Sequence, residues 1–244
     1  MSGTQVPILI TWDVDPDRWT SLERRKHAFS MAADLCEKFG IHVTFFVTAK
    51  FANEYRENID RVQDLGSEVG CHGWTHADEE DYDSMSLALQ RAYIEEATRG
   101  LEIVTHKTVH SFRSPRVKTS SDTLRILAEC GYQVDSSVCS QRIDFVRLYV
   151  ESRRTGKPIV YLAHPTEFLI IGKWKPAGLK ELSLQHIRTH GFLVRNMLYR
   201  LAGEALFSAT HKLFAYMASF PDVNFMTCSD YASALGDVKR FIAA

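Results

Sequence analysis

The chain has 244 residues, of which 45% are hydrophobic and 24% are charged, and this composition is that of an ordinary soluble globular protein. Its net charge of −1 argues against general nucleic-acid binding, which usually requires a strongly basic domain. The length suits one large domain, and (β/α) barrels are commonly of this size.

Apolar, strand-like runs alternate along the chain with segments whose apolar residues recur at helical spacing. The predicted strands cover residues 7–13, 42–48, 68–71, 109–113, 133–136, 159–163 and 224–227. The predicted helices cover residues 21–39, 53–65, 86–104, 120–130 and 204–220. This alternation implies parallel strands with right-handed crossovers, and no Gly-rich phosphate loop follows the first strand. We therefore expect one α/β domain over residues 1–244, a distorted or incomplete (β/α) barrel with about seven parallel strands.

The cysteine pattern and the N-terminal sequence both bear on the compartment. The five cysteines form no C-x-x-C pair, which indicates reduced thiols. The first residues lack the basic and apolar regions of a signal peptide. No apolar run approaches the roughly 18 residues that span a bilayer. We expect a cytoplasmic protein.

Charge is unevenly distributed. An acidic run at residues 77–83 contains Asp78, Glu79, Glu80, Asp81 and Asp83. Residues 142–212 instead hold twelve lysines and arginines against five acids, which we interpret as solvated surface, with attraction of a phosphorylated ligand as the alternative. A basic and apolar segment around residues 168–203 is longer than an ordinary barrel connection. It is predicted to be a helical insertion, packed on the barrel or at a homo-oligomer interface, or else docked on the inner face of the membrane near a polyprenyl-phosphate sugar.

Two carboxylates lie at the end of the first predicted strand. Asp13 and Asp15 are separated by Val14, and side chains two residues apart on a strand point to the same face. Buried carboxylates are costly unless they are paired or bind a metal. Asp15 is also explained as an ordinary turn residue where the strand leaves the sheet, but Asp13 lies within the apolar run.

Two histidines follow the short strand predicted at residues 68–71. His72 and His76 have H-x-x-x-H spacing, which places two imidazoles on one side of a helical turn or tight loop. The spacing alone is a weak signal, because surface histidines often fall four residues apart. Imidazole together with carboxylate suits Zn²⁺ and similar first-row metals. If the two segments meet, three of their four side chains can hold a divalent metal while the fourth serves as a base.

Three more polar residues follow or end predicted strands: Arg113, Asp135 and His164. Catalytic groups of parallel barrels gather at the C-terminal ends of the strands. Arg113 could hold a carboxylate in its ionised form or form a structural salt bridge at the rim. A histidine after an apolar strand is more often structural, but paired with an aspartate it can donate a proton to a leaving group. Glu167 is either an orienting group or an exposed acid.

In this order, the segments resemble the polysaccharide deacetylase family, the NodB homology domain or carbohydrate esterase family 4. The resemblance rests on residues 11–15, 72–76 and 113–115, with Asp135 and His164. It implies metal-dependent N-deacetylation of amino sugars on a distorted barrel. By position it implies a base, Asp13, tethered by Arg113, and an acid, His164, oriented by Asp135. The implied ligands, for Zn²⁺ first and Co, Ni, Mn or Fe as alternatives, are Asp15, His72 and His76.

The chain also departs from the commonest family pattern. The D-x-D form of residues 13–15 resembles the branch with intracellular and lipid-linked-sugar deacylases, including the formamido-arabinose deformylase type. Residues 113–116 read Arg-Ser-Pro-Arg instead of Arg-x-Pro-Tyr. We therefore expect a hydrolase that removes an acetyl or formyl group from an amino sugar in a cytoplasmic, polyprenyl- or nucleotide-linked intermediate. The alternatives are an amidohydrolase for small cyclic or linear amides and a catalytically silent sugar-binding barrel.

Overall fold

The computed structural model describes residues 5–17, 20–137, 145–169 and 202–236, and the backbone of 242–243. The strands are β1 (Val6–Val14), β2 (Thr44–Val47), β3 (Glu68–Cys71), β4 (Ser111–Phe112), β5 (Val134–Asp135), β6 (Ile159–Ala163), β7 (Val223–Phe225) and β8 (Ile242–Ala243). The helices are α1 (Leu22–Phe39), α2 (Arg56–Asp64), α3 (Leu87–Thr105), α4 (Ser121–Glu129), α5 (Phe145–Thr155), α6 (Gly203–Ala218) and α7 (Cys228–Leu235). Short 3₁₀ helices cover Ala49–Tyr55, Pro115–Val117 and Pro165–Leu169.

Every strand pair in the sheet is parallel. The order is β6-β1-β2-β3-β4-β5-β8, with β7 paired to the start of β1. Within the described residues, the two edge strands β6 and β8 do not pair, so the curled sheet remains open. The predicted distorted, incomplete barrel is confirmed, and its parallel strands bring their C-terminal ends to one rim.

Local signals in the sequence set the helix ends. Ser21 accepts a hydrogen bond from the Arg24 N–H and begins α1, which ends where Gly40 adopts φ 59°. Ser86 and Ser120 cap α3 and α4 in the same way. An N-cap hydroxyl accepts a bond from an otherwise unpaired N–H, and glycine tolerates the left-handed cap. These helices therefore begin and end within one residue of the predicted bounds.

The two faces of β1 pack against different groups of residues. Trp12 belongs to the main apolar core between sheet and helices. Leu9 lies on the opposite face from Trp12, which is the face that also carries Asp13. It packs with Phe46 and with Cys228 of α7. This second cluster lies beneath the rim and supports the interior side chains of β1 and β2.

The structure describes some of the segments predicted from the sequence and not others. None of the helices in the described ranges has the length and apolarity needed to cross a membrane. Of the insertion predicted around 168–203, residues 170–201 lie outside the described residues.

Two described helices, α5 and α7, were not predicted. Thr227, which was assigned to the last predicted strand, caps α7.

Candidate metal centre and active site

The rim of the sheet brings together most of the polar residues that end predicted strands. Asp13 lies in β1 and Asp15 one residue beyond it, while His72 follows β3 and Arg113 follows β4. His164 follows β6, which pairs with β1 on the side opposite to β2. The acids of the first strand and the later histidines therefore meet, as the sequence predicted.

Three side chains converge in the geometry of a metal site. Nε2 of His72 lies 3.1 Å from Asp15 Oδ1, and Nε2 of His76 lies 3.6 Å from the same oxygen. One ligand atom from each of Asp15, His72 and His76 falls within 4.8 Å of the others. A carboxylate with two imidazoles is a donor set that suits Zn²⁺ and its first-row neighbours.

Hydrogen bonding fixes the orientation of His72. Its Nδ1 lies 2.9 Å from the backbone carbonyl oxygen of Arg113. Because a carbonyl oxygen only accepts, Nδ1 carries the proton, and in the neutral ring Nε2 presents its lone pair to the acids. Oδ1 of Asp15 is buried and has no hydrogen-bond donor. A lone pair and an unpaired carboxylate oxygen facing each other fit a bound cation.

The acids and imidazoles shift one another's protonation. Burial disfavours the ionised form of Asp15, but the imidazoles of His76, His72 and His164 outweigh it and hold the pKa of Asp15 well below its usual range. Burial also opposes the protonated form of His72, yet Asp13 and Asp15 raise the pKa of His72 above its ordinary value. For His76 burial prevails over Asp15 and lowers the pKa of that ring. The pocket therefore keeps Asp15 ionised and available as a ligand.

Asp13 is held by a buried guanidinium. Nη1 of Arg113 donates to Asp13 Oδ1 at 2.7 Å and to Thr11 Oγ1 at 2.9 Å, and its Nε donates to the Ser136 carbonyl oxygen. The guanidinium lies 4.4 Å from the centre of the Phe46 ring. The other carboxylate oxygen, Oδ2, faces Nε2 of His72 at 3.8 Å. This arrangement agrees with the expected tether and leaves one oxygen of Asp13 turned toward the metal site.

The expected pairing of Asp135 with His164 is corrected by the contacts of these two described residues. Asp135 Oδ1 accepts hydrogen bonds from the backbone N–H and hydroxyl of Ser137. Burial raises the pKa of Asp135, against the opposing effects of Ser137 and Arg113. The carboxylate beside Nδ1 of His164 is that of Glu167, whose Oε1 is 3.8 Å away. Four strands separate β5 from β6 in the sheet order, so the two strand ends are not neighbours.

His164 itself lies at the edge of the candidate metal site. Its Nε2 is 3.5 Å from Asp15 Oδ2 and 3.9 Å from Asp13 Oδ2. A quarter of its side-chain surface is exposed, compared with 4% for Asp13. It is therefore the more accessible of the two groups and the one suited to meet a departing group of a substrate.

Two acids of the run at residues 77–83 form specific contacts within the fold. Glu80 is fully buried, and its carboxylate accepts hydrogen bonds from the loop that carries His76. Asp81 pairs with Arg116 at 2.6 Å and with Lys118 at 2.7 Å. No spacing rule could have identified Glu80, because most of its donors are backbone N–H groups that every residue possesses.

Arg116, which stands where the family commonly has tyrosine, has its side chain turned to the acidic run. Besides the bond to Asp81, its Nη2 donates to the carbonyl oxygens of Ala77 and Glu80. Its backbone adopts φ 57°, and the next residue, Val117, adopts φ 52°. Such φ values are costly for residues with bulky side chains and cluster at functional sites. The segment of residues 113–116 is therefore joined through residues 77–83 to the loop that carries His72 and His76, hereafter the histidine loop.

Comparison with known proteins places this geometry in a family. The family model described as polysaccharide deacetylase matches residues 2–134. A chitin deacetylase from Pestalotiopsis sp is 28% identical over 104 residues, which cover 41% of this chain and 34% of the relative. The chain therefore spans about a third of the length of that curated relative.

Two solved structures share the fold over nearly their whole length. A putative polysaccharide deacetylase from Mycobacterium smegmatis has a TM-score of 0.69 at 17% identity, covering 96% of this chain and 91% of that one. The PuuE allantoinase also has a TM-score of 0.69, at 14% identity, covering 99% of this chain and 94% of that one. Because the family model covers more than half of the chain, the chain belongs to the polysaccharide deacetylase family.

Proposed function

We propose that the chain is a metal-dependent hydrolase that removes an N-acyl group from an amino sugar. The observation that carries this proposal is the convergence of Asp15, His72 and His76 beside Asp13, whose second oxygen faces the same space. Asp13, His164, Arg113 and Asp135 are the catalytic candidates. Among them Asp135 accepts hydrogen bonds from Ser137 instead of orienting His164.

The donor set identifies the kind of ion that would be held. Two neutral imidazole nitrogens and one carboxylate oxygen suit Zn²⁺ best, with Co²⁺, Ni²⁺, Mn²⁺ and Fe²⁺ as alternatives. Bound there, a divalent cation polarises a carbonyl group and makes a water molecule more acidic. Asp15, His72 and His76 are the protein groups that would hold it, which leaves Asp13 and His164 for proton transfer.

Asp13 and His164 would carry out the two proton transfers of amide hydrolysis. Asp13 Oδ2 accepts a proton from the attacking water, while Arg113 holds Oδ1. His164 donates a proton to the departing nitrogen as the C–N bond breaks, and Glu167 lies beside its Nδ1 at 3.8 Å. The products are a free amine and a carboxylate. Acid and base work of this kind contributes typically about 10²- to 10⁴-fold to a rate.

The substrate that we propose is an acetyl- or formyl-amino sugar in a cytoplasmic biosynthetic intermediate, linked to a nucleotide or a polyprenyl carrier. The similarity to a chitin deacetylase supports a carbohydrate amide. The four described cysteines are free thiols, which is in keeping with a reducing compartment. The D-x-D branch with its lipid-linked-sugar deformylases remains part of this proposal.

The test is acid release from a panel of nucleotide-linked and polyprenyl-linked N-acetyl and N-formyl sugars, followed by mass spectrometry. We expect release of acetate or formate that a chelator abolishes, together with its loss in Asp13→Asn and His72→Ala. The exposed histidine variant His27→Ala is the matched control and should retain activity. Sugar binding that a chelator does not affect, without acid release, would favour a catalytically silent binder.

The same groups would also hydrolyse a small cyclic or linear amide. A solved allantoinase shares the fold of this chain, and the panel therefore includes such amides. A kcat/KM for them that exceeds that of every sugar would replace the amino-sugar substrate while leaving the metal-dependent chemistry intact.

Peripheral membrane contact and self-association remain proposals that concern the basic segment around 168–203. Its apolar residues at helical spacing include Leu193 and Leu198, and glutamate at both positions should abolish flotation with anionic vesicles. Unchanged flotation would remove the membrane proposal. Sedimentation of the same variant tests whether the segment forms a homo-oligomer interface instead.

A further inference from the structure

A fully buried carboxylate lies behind the histidine loop without being one of the candidate ligands. Glu80 Oε1 accepts from the Trp74 N–H at 2.6 Å and from the Tyr82 hydroxyl at 2.9 Å. Glu80 Oε2 accepts from the Thr75 N–H at 2.6 Å, the Thr75 hydroxyl at 2.9 Å and the His76 N–H at 2.7 Å. Both oxygens are therefore fully engaged by one short stretch of chain.

These partners satisfy both oxygens of Glu80. All of the groups that face it are donors, and a carboxylate offers acceptors only. The bonds to backbone N–H groups, at 2.6–2.7 Å, are short. A buried polar group is tolerated only when it is satisfied in this way. Glu80 therefore acts on the backbone of the loop and is not among the candidate metal ligands.

The backbone that Glu80 holds is the backbone that aims His76. His76 adopts φ 56°, a left-handed conformation that a residue with a side chain avoids unless its surroundings impose it. In that conformation its Nε2 lies 3.6 Å from Asp15 Oδ1. We propose that Glu80 is a positioning residue for His76, which it holds in the conformation that completes the metal site.

The segment that carries Glu80 is itself anchored to a third active-site loop. Asp81, the next residue, accepts from Arg116 Nε at 2.6 Å and from Lys118 Nζ at 2.7 Å. Arg116 also donates to the Glu80 carbonyl oxygen at 2.7 Å. Glu80 is therefore fixed on one side to the loop after β4 and on the other to the loop after β3. This double anchorage is what a group that orients a ligand requires.

The inference rests on the proposed metal site and is tested with Co²⁺ as the probe. The full chain is stripped of metal, and Co²⁺ affinity is measured by competition with a chromophoric chelator alongside the visible spectrum. Glu80→Gln keeps the shape but cannot accept every bond. Outer-sphere partners of a metal ligand are typically worth about 10- to 100-fold in affinity, and we expect a loss in this range. Its Co²⁺ spectrum should match that of His76→Ala.

A matched pair of tyrosines keeps the test decisive if Glu80→Gln fails to fold. Tyr82 and Tyr132 are both buried and both pack edge-on against Phe112, but Tyr82 donates to Glu80 whereas Tyr132 bonds to Thr98. Tyr82→Phe should weaken Co²⁺ binding by a smaller, measurable factor, and Tyr132→Phe should leave it unchanged.

The outcomes separate this inference from the proposed function. No Co²⁺ binding by the wild-type chain would refute the metal site itself. Wild-type affinity and spectrum in Glu80→Gln, or equal affinities in the two tyrosine variants, would overturn the role of Glu80 while leaving the metal site standing. A fall in thermal stability of Glu80→Gln with unchanged Co²⁺ parameters would likewise overturn it.

Discussion

Arg113 Nη1 lies 2.7 Å from Asp13 Oδ1, and both side chains are buried. The two oxygens of the Asp13 carboxylate therefore have different partners. Oδ1 accepts a hydrogen bond from the guanidinium, while Oδ2 faces His72 and His164. A carboxylate held in this way has one oxygen directed to the rim. Changes at either Asp13 or Arg113 should therefore have distinct and measurable effects.

Asp13→Asn should abolish most catalysis without removing the metal. Asparagine keeps the shape of the side chain but cannot take up a proton, so kcat should fall by about 10²- to 10⁴-fold. Steady-state acid release measures this, and metal content is determined on the same sample. Asp34→Asn, an exposed acid paired with Arg61, is the control. A variant at position 13 with wild-type kcat would eliminate Asp13 as the base.

Arg113→Met should be strongly destabilising, because it leaves the Asp13 carboxylate buried without its partner. Removing one member of a buried ion pair typically costs about 3–5 kcal/mol. The double variant Arg113→Met/Asp13→Asn should lose less than the sum of the single changes, with a coupling of about 1–3 kcal/mol. Urea unfolding of all four proteins measures this cycle. Additive losses would show that the contact contributes nothing specific to stability.

Metal binding should stabilise the folded chain. An ion at about 100 times its dissociation constant adds about 2.7 kcal/mol to the free energy of unfolding, which corresponds to a rise in Tm of roughly 5–10 °C. Thermal unfolding with Zn²⁺ and with chelator measures the difference. The rise should vanish in His72→Ala and persist in His27→Ala. An equal rise in His72→Ala would assign the bound ion to some other part of the protein.

Glu167→Gln should be coupled to His164, whereas Asp135→Asn should not. Glu167 Oε1 faces Nδ1 of His164 at 3.8 Å, so the losses of kcat in Glu167→Gln and His164→Ala should be non-additive, with a coupling of about 0.5–3 kcal/mol. Asp135, which bonds to Ser137, should show additive losses with His164→Ala. Steady-state kcat of the single and double variants measures both cycles. Coupling of Asp135→Asn but not of Glu167→Gln would restore the pairing that the sequence suggested.

The buried thiols should make stability fall at alkaline pH. Burial raises the pKa of Cys36, Cys71 and Cys228 to about 12 from an ordinary 9.0. The unfolded chain therefore loses these protons first, so their contribution is complete below pH 9 and declines toward pH 12 by about 1.4 kcal/mol per group and pH unit.

Cys36→Ala isolates one of these groups. The drop in unfolding free energy between pH 8 and pH 10, measured in urea, should shrink by about 1.3 kcal/mol in this variant. Cys130→Ala, which removes a half-buried thiol, should shrink it less. An identical pH dependence in wild type and Cys36→Ala would contradict the assignment.

The sequence predicted the order of strands and helices well because burial and capping are local signals. Residues 68–71 and 159–163 were assigned to strands with the bounds that the structure has. Helices α5 and α7, with 11 and 8 residues, escaped because a short helix has little periodicity to recognise. Strand β8, with 2 residues, has even less.

The parts of the candidate site that depend on residue type and spacing were predictable from the sequence. The parts that depend on contacts across the sheet were not. The acids at 13 and 15 and the histidines at 72 and 76 were identified from residue type and strand position. The partner of His164 depends on which side chains are adjacent in the fold. The sequence suggested Asp135, whereas the structure has Glu167 beside His164. Glu80 left no signal, because backbone amides are common to all sequences.

Gly73 joins three loops at one point that leaves no room for a side chain. A Cβ atom there would lie 2.5 Å from Glu80 Oε1 and 2.7 Å from Pro115 Cγ. The segments after β3 and β4 and the acidic run therefore fit together as a single interlocking module. A designer who grafted the histidine pair onto another scaffold would have to transplant all three pieces at once. In natural descendants, substitutions in any one of them should be accompanied by compensating changes in the other two.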